Sequence, residues 1–343
     1  MKAVVVREHG DYDKLLIEDR PAPEPGFGEV RVAVKAAALN HLDIWVRRGV
    51  PGHTFPLPII PGCDGAGIID KIGGGVLNVK VGDRVALAPG YSCNVCELCT
   101  SGQDQLCRNY GILGEMRDGT CAEYICVPAR NCLIMPGDQD FTIAAAWPLT
   151  FLTAWHMLTK RVLLKPGETI LIHAAGSGVS AASIAIAKLL GAQIIATVGS
   201  DAKCTKALEL GADFAVNYET SDFAAEVKKI TNKRGVDAIV NHVGAKTFEA
   251  DVKLLVKGGK LVTCGATAGF ELKTDFRLVF FKSLSILGST MGPLGELHEL
   301  ARLMRQKKLS PVIDSIFTMD NVQNAHRRLG ERGVFGKVVL KIE

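Results

Sequence analysis

Residues 169 to 181 read Thr-Ile-Leu-Ile-His-Ala-Ala-Gly-Ser-Gly-Val-Ser-Ala, an apolar strand pattern at 169–173 that runs straight into Gly176-x-Gly178-x-x-Ala181 and then into a helix pattern ending at Leu190. A glycine turn between strand and helix narrows the possible folds sharply. Gly176 permits a tight turn, Gly178 lets the backbone approach a pyrophosphate, and Ala181 lets helix and strand pack closely. The helix start adds unpaired N–H groups and a positive dipole end, both suited to phosphate. A lone match of this kind is weak, but here it heads a series. Strand patterns at 193–198, 214–217, 238–241, 260–264 and 285–288 alternate with helix patterns at 202–210, 223–230 and 246–255. Such alternation predicts an α/β fold, a doubly wound parallel sheet of Rossmann type with helices on both faces.

The chain before this series reads differently. Short runs rich in Val and Ile, such as 29–35, 67–70, 84–88 and 122–127, are separated by Pro and Gly turns, which predicts an irregular β-rich domain. Helical spacing appears at 143–158, and the chain closes with a helix at 296–307 and a strand at 336–342. A length of 343 residues accommodates two domains, each with its own core.

Four cysteines, Cys93, Cys96, Cys99 and Cys107, fall in a C-x2-C-x2-C-x7-C run. That spacing suits a closed tetrahedral zinc site, which leaves no position open for substrate. Asn94, Ser101, Gly102 and Asp104 favour the turning such a loop needs. The other six cysteines are scattered, which argues against a disulfide framework. Sulfur ligands alone leave an iron–sulfur cluster as the competing occupant.

A net charge of +4 without a long Lys/Arg run gives no nucleic-acid stripe. The N-terminus turns charged after four apolar residues, as a strand and not a signal peptide would, and the apolar stretch 169–199 is broken by His173, two glycines and Lys188. A cytoplasmic, reducing location is expected, with no membrane partner.

The end of the second strand bears on the cofactor. A site for NAD usually places an acid there to bind the ribose 2′-hydroxyl. This chain reads Val198-Gly199-Ser200-Asp201-Ala202-Lys203. Gly199 and Ser200 leave room for a 2′-phosphate and Lys203 can neutralise it, whereas Asp201 can N-cap the next helix. NADPH is the expected cofactor.

Several strings together resemble the medium-chain dehydrogenase/reductase superfamily over essentially the whole chain. They are Pro61-Gly62-x-x-Gly65-x-Gly67, Gly82-Asp83-Arg84-Val85, the four-cysteine run, Gly119-Thr120-x-Ala122-Glu123-Tyr124, the glycine turn, Leu210-Gly211-Ala212 and Gly336-Lys337-Val338-Val339-Leu340. The resemblance implies a GroES-like catalytic domain at 1–150 with a zinc lobe near 91–110, a Rossmann domain at 151–290, and a return to the catalytic domain at 291–343. It implies one structural zinc per chain, a cleft for nicotinamide, a small-molecule substrate and a homodimer or homotetramer. It also implies cofactor contacts at Gly176, Ser177, Gly178, Val179, Ser200, Lys203, Tyr218, Gly244, Gly265 and Lys337.

Zinc alcohol dehydrogenases of this superfamily hold a second, catalytic zinc on two cysteines and a histidine. The matching positions here are Asn40, Cys63 and Leu149, and the proton-relay hydroxyl is replaced by Leu42. The Asn40-x-x-Asp43 string, Lys203 and Tyr218 look like the quinone oxidoreductase and enone reductase branches, many of which lack the zinc lobe. The leading expectation is NADPH-dependent reduction of a quinone or α,β-unsaturated carbonyl without a catalytic metal. Asn40 would orient substrate or nicotinamide, Asp43 would hold Asn40's loop, and Thr153 would contact nicotinamide. The alternatives are a zinc alcohol dehydrogenase with an altered site drawn from His41, Cys63 and Asp64, and a non-enzymatic NADPH-binding protein.

Overall fold

The computed structural model describes residues 1–272, 274–331 and 333–342. The chain divides into two units, residues 1–149 with 293–343, and residues 150–292. It is an α/β protein with a GroES-like β-rich N-terminal domain and a Rossmann domain.

In the second unit six strands pair in parallel, in the order Phe214–Asn217, Gln193–Val198, Thr169–Ile172, Val236–Val240, Leu255–Thr263, Ser285–Gly288. Numbered within the unit, that order is 3-2-1-4-5-6, and it places its switch point at the C-terminal end of the first strand, where the glycine turn lies. All four residues of Thr169–Ile172 are buried, as a central strand covered on both faces requires. Leu171, Ile195, Ile239 and Leu261 form one apolar cluster with Phe248 and Val252 of the helix Ala245–Leu254.

The first unit is organised by one long strand, Glu29–Leu39. It pairs antiparallel with Asp64–Ile72, Tyr124–Pro128 and Lys337–Lys341. Its alternating burial puts Val30, Val32 and Val34 into the core. Register shifts beside Val32 and Ala36 bend the pairing with Asp64–Ile72. A Cβ on Gly67 would stand 2.1 Å from the Ala33 carbonyl oxygen, so this backbone approach admits only glycine. The register also aligns Ala38 with both Asp64 and Val339, and Leu39 with Val338. Lys337 therefore falls beside Asn40, although 297 residues separate them.

Some elements differ from the sequence reading. The helical stretch expected at 143–158 is three pieces, Phe141–Ala145, Pro148–Trp155 and a wider π-type turn His156–Val162. Pro148 lacks an N–H and its ring would clash with the preceding turn, so it starts a new helix and cannot continue the old one. The strand expected at 260–264 begins earlier, at Leu255, where the helix expected at 246–255 ends. A strand Ile313–Thr318 and a helix Val322–Gly330 join the first unit where no element was expected. The helix carries Gln323, Asn324 and two arginines, and its three buried positions Val322, Ala325 and His326 give little apolar signal.

Candidate functional site

Three groupings of polar residues stand out, and they are built differently. The first is the cysteine lobe. A short strand pair, Gly90–Tyr91 with Gly111–Ile112, closes its base, and left-handed backbone at Asn94 and Gly102 turns the loop back on itself. The four sulfurs lie 3.5 to 3.8 Å apart across the contacts Cys93–Cys99, Cys96–Cys99, Cys96–Cys107 and Cys107–Cys93. A zinc–sulfur bond of about 2.3 Å gives a tetrahedral edge of about 3.8 Å, so these sulfurs fit a zinc ion. They are free thiols and not disulfides. Backbone N–H groups of Val95 and Cys96 draw the Cys93 thiol down to about 6, which favours the thiolate a metal needs. The lobe is tied to the returning chain by Asp104, whose carboxylate accepts the Leu294 N–H at 3.1 and 3.3 Å at the start of the helix Leu294–Arg305.

The second grouping surrounds the glycine turn. The left-handed residue of the turn is Ala174 (φ 50°), so the tight bend falls two residues before Gly176, where it was expected. Ser177 is the N-cap of the helix Gly178–Leu189 and its hydroxyl accepts the Ser180 N–H at 3.1 Å. Ala181 is buried at the close helix–strand contact. Beneath the turn lies a polar network that sequence reading missed. His173 pairs through Nε2 with Asp251 at 2.7 Å and through Nδ1 with Thr197 at 3.0 Å, while the Asn241 amide donates to Asp251 at 2.7 Å. His242 Nε2 lies 3.0 Å from the Ser177 hydroxyl and 2.7 Å from that of Ser180. The only sequence signal was a run of polar residues at strand ends, which reads as loop chemistry until the parallel sheet aligns those ends. Gly244 (φ 93°) bends the chain after His242 so closely that a Cβ there would meet the Gly269 carbonyl oxygen at 2.5 Å. Gly265 sits across from His242, where a Cβ would stay 3.8 Å away.

At the tip of the strand Gln193–Val198, a Cβ on Gly199 would stand 2.7 Å from the Tyr218 hydroxyl. The space that Gly199 leaves is thus taken by this phenol, which the fold carries to the strand tip. Asp201 accepts from the Asn217 amide at 2.8 Å at the start of the helix Asp201–Leu210, whose first turn also carries Lys203 and whose N-cap is Ser200. Thr153 is buried in the same unit, with its hydroxyl 3.8 Å from the Met291 sulfur.

The third grouping is buried in the first unit. Asn40 precedes the helix His41–Arg48, and Asp43 reaches back to accept the Asn40 N–H at 2.7 Å, an end-of-helix arrangement that ties the turn. The other Asp43 oxygen accepts the Gly62 N–H at 2.8 Å. Burial pushes the Asp43 carboxyl up to about 6 despite those two donors. The Asn40 amide donates to Cys63 Sγ at 3.2 Å, to Asp64 Oδ2 at 2.9 Å and to the Ala38 carbonyl at 3.2 Å. Its oxygen accepts from Lys337 Nζ at 2.5 Å, which fixes which way the amide faces. Lys337 also donates to Asp64 Oδ2 at 3.0 Å, and Asp64 Oδ1 accepts the Leu149 N–H at 2.8 Å. Burial, with the Asp64 and Asp43 charges beside it, holds the Cys63 thiol far above its ordinary range.

Asn40, Asp43 and Lys337 are thus brought together, but around one another. Lys337 is 3% exposed, with its ammonium on Asn40 and Asp64, whereas the resemblance pointed it at the cofactor. The three positions matching a catalytic zinc do not fit that ion as they stand. Leu149 has no ligating side chain and its N–H is given to Asp64, the Asn40 oxygen faces an ammonium, and the Cys63 sulfur accepts from the Asn40 amide. His41 is exposed and packs edge-on against Trp45 at 5.2 Å. Among the described residues, the four-cysteine set is the one group of three or more His, Cys, Asp or Glu side chains placed to share a metal.

A zinc lobe beside a GroES-like sheet and a glycine turn on a 3-2-1-4-5-6 parallel sheet define an oxidoreductase of the medium-chain dehydrogenase/reductase class. Residues 26–137 match the alcohol dehydrogenase GroES-like domain and residues 178–306 the zinc-binding dehydrogenase family. The chain belongs to the zinc-type alcohol dehydrogenase superfamily. It is 31% identical to an alcohol dehydrogenase of Geobacillus stearothermophilus, with 100% of each chain covered. It is 30% identical to a zinc-type alcohol dehydrogenase-like protein of Schizosaccharomyces pombe, over 100% of this chain and 99% of the other. Among solved structures it is similar to an NAD-dependent alcohol dehydrogenase, at 48% identity and TM-score 0.96 with 100% of each chain covered.

Two outcomes follow from these geometries. Cys96→Ser should lower zinc content below one per chain and lower the unfolding midpoint; zinc at the wild-type level by atomic emission would dismiss the lobe as its site. For Asp43, a folded-state pKa raised to about 6 gives stability that is present at low pH and lost as pH rises through 6. Urea unfolding should therefore show the wild type losing about 1 kcal/mol between pH 5 and pH 7 relative to Asp43→Asn. Parallel pH profiles for the two proteins would contradict this.

Proposed function

We propose that this protein interconverts an alcohol and its carbonyl compound by hydride transfer with a nicotinamide dinucleotide, NADP(H) being preferred. The observation that carries the reading is the full-length 48% identity to an NAD-dependent alcohol dehydrogenase, joined to the glycine turn at the switch point of the sheet. Bound nicotinamide supplies the hydride for the carbonyl carbon, and the oxygen takes a proton as the alcohol forms.

The chain's own residues bind and orient. The N-terminal turn of the helix Gly178–Leu189, with Ser177 and Val179 at its mouth, receives the pyrophosphate. Preference for NADP(H) is supported by the absence of a carboxylate at residues 198–200, by Asp201 being engaged with Asn217, and by Ser200, Lys203 and Tyr218 at one strand tip. Thr153 is the nicotinamide-side residue in this reading.

A second reading, reduction of a quinone or α,β-unsaturated carbonyl, is favoured by one observation. Leu149 and the ammonium-bound Asn40 supply no side chain for a metal that would polarise an isolated carbonyl. Hydride addition to the β-carbon of an enone leaves an enolate that needs only hydrogen-bond donors and a proton. We also propose a homodimer or homotetramer, supported by the edge strand Ser285–Gly288 with its exposed Ile286 and by the exposed Phe276, Phe280 and Phe281 nearby in sequence.

Initial rates on primary and secondary alcohols with NADP+ or NAD+, and on enones and quinones with the reduced cofactors, test the choice. Faster turnover of alcohols and simple carbonyls is expected. Turnover confined to enones and quinones would transfer the assignment to the second reading, and tight cofactor binding without turnover on either panel would leave a non-enzymatic role. Lys203→Ala should raise the KM for NADPH about tenfold more than that for NADH, the loss of one charge-assisted contact. An equal effect on both would remove the 2′-phosphate argument.

A further inference from the structure

His242 follows the strand Val236–Val240, and its Nε2 meets two hydroxyls of the glycine turn, Ser180 at 2.7 Å and Ser177 at 3.0 Å. The hydrogens of this group are fixed by elimination. Ser180 Oγ lies 2.7 Å from the His173 carbonyl oxygen, and a carbonyl only accepts, so the one Ser180 hydroxyl hydrogen points there. The contact between Ser180 and His242 then takes its hydrogen from the ring. Nε2 is therefore an N–H, whether the ring is neutral or charged, and it is directed at both hydroxyl oxygens.

Ser177 consequently receives two donors. Its oxygen accepts the Ser180 N–H at 3.1 Å as the helix N-cap, and it accepts the His242 N–H at 3.0 Å. Both lone pairs of the hydroxyl are engaged, and only its own hydrogen is left to give. The described residues offer that hydrogen no further acceptor, and Ser177 is half-buried at the mouth of the helix Gly178–Leu189. We propose that His242 is a positioning residue of the cofactor site, whose Nε2–H holds Ser177 so that it presents its O–H to a pyrophosphate oxygen.

The backbone keeps the ring in place for this task. The Asn241 N–H donates to the Val262 carbonyl at 3.0 Å, the Gly244 N–H to Asn241 Oδ1 at 2.8 Å, and the Thr267 N–H to the His242 carbonyl at 3.2 Å. His173 differs, because both its ring nitrogens are taken up inside the protein by Asp251 and Thr197. Direction matters at Ser177 because phosphate oxygens only accept. A hydroxyl turned inward would face them with lone pairs, whereas one turned outward adds a donor to the free N–H groups of the helix start. Without the His242 N–H, the Ser177 oxygen lacks a donor and its hydrogen is free to turn elsewhere.

This role presumes the nicotinamide dinucleotide reading above, which ADP-ribose, having the pyrophosphate but no nicotinamide, tests separately. Full-length wild type, His242→Gln, His242→Leu, Ser177→Ala and Ser177→Ala/His242→Leu are titrated with NADPH and NADH by fluorescence, and with ADP-ribose and adenosine by calorimetry. Glutamine reaches the Nε2 position with an amide N–H, and leucine fills the space without a donor. His242→Leu should raise the Kd of NADPH, NADH and ADP-ribose about tenfold each, the loss of one hydrogen bond to a charged group, and leave adenosine unchanged. His242→Gln should restore binding to within about twofold of wild type. Ser177→Ala should also cost about tenfold, and the double variant should bind no more weakly than Ser177→Ala, because both changes remove one shared contact.

An unchanged Kd in His242→Leu would overturn the proposal, as would His242→Gln binding as poorly as His242→Leu. So would an equal loss for adenosine, which marks a loosened fold, or losses that multiply in the double variant. If Ser177→Ala folds poorly for want of its cap, the pair of His242 variants decides alone. Wild type that binds ADP-ribose but neither dinucleotide would end the dinucleotide reading, and the ADP-ribose ratios would still decide the role of His242. Wild type that binds none of the pyrophosphate ligands overturns both.

Discussion

Asp64 is a fully buried carboxylate, and the first unit is arranged so that it stays paired. Lys337 comes from the last strand, Asn40 from the turn after the longest strand, and the Leu149 N–H from the segment that leads toward the second unit. Removing one partner of a buried pair typically costs about 3–5 kcal/mol, because the remaining charge is stranded. Three chain segments far apart in sequence are therefore bound to one side chain. The antiparallel register around Glu29–Leu39 makes this possible, since it aligns Asp64, Ala38 and Val339 in one row.

The two polar centres with assigned ligands divide the work differently. The cysteine lobe is local: four sulfurs within fifteen residues, a short strand pair at the base, and one carboxylate, Asp104, that joins it to the returning helix. Metal there contributes to folding, because the loop has little apolar core of its own. The glycine turn is local in its covalent part and non-local in its support. His173, Thr197, Asn241 and Asp251 come from three strand ends and a helix, and their mutual hydrogen bonds hold the floor beneath the turn. Such a satisfied buried network fixes the turn's geometry before any cofactor arrives.

Comparison of the elements shows why some features were legible early. The strand at 193–198 and the helix at 223–230 carry their period in their own residues, and both formed as read. The split at Pro148 was legible in principle, yet the helical spacing on either side masked it. The helix Val322–Gly330 was not legible, because it covers the first unit with only a narrow buried face. Tyr218 was expected among the cofactor contacts by resemblance, and the fold shows where it lies: Gly199 has no side chain, so the phenol can lie across the strand tip.

The sequence by itself determined the family, the α/β and β-rich division, the cysteine lobe and the glycine turn, because each rests on short-range spacing that the chain enforces locally. Only the tertiary structure decided the fate of Asn40, Cys63 and Lys337. Those residues are separated by up to 297 positions, and their chemistry depends on strand register, which no local pattern encodes. Register delivers an ammonium beside Asn40 and Asp64, and that placement closes the polar cluster.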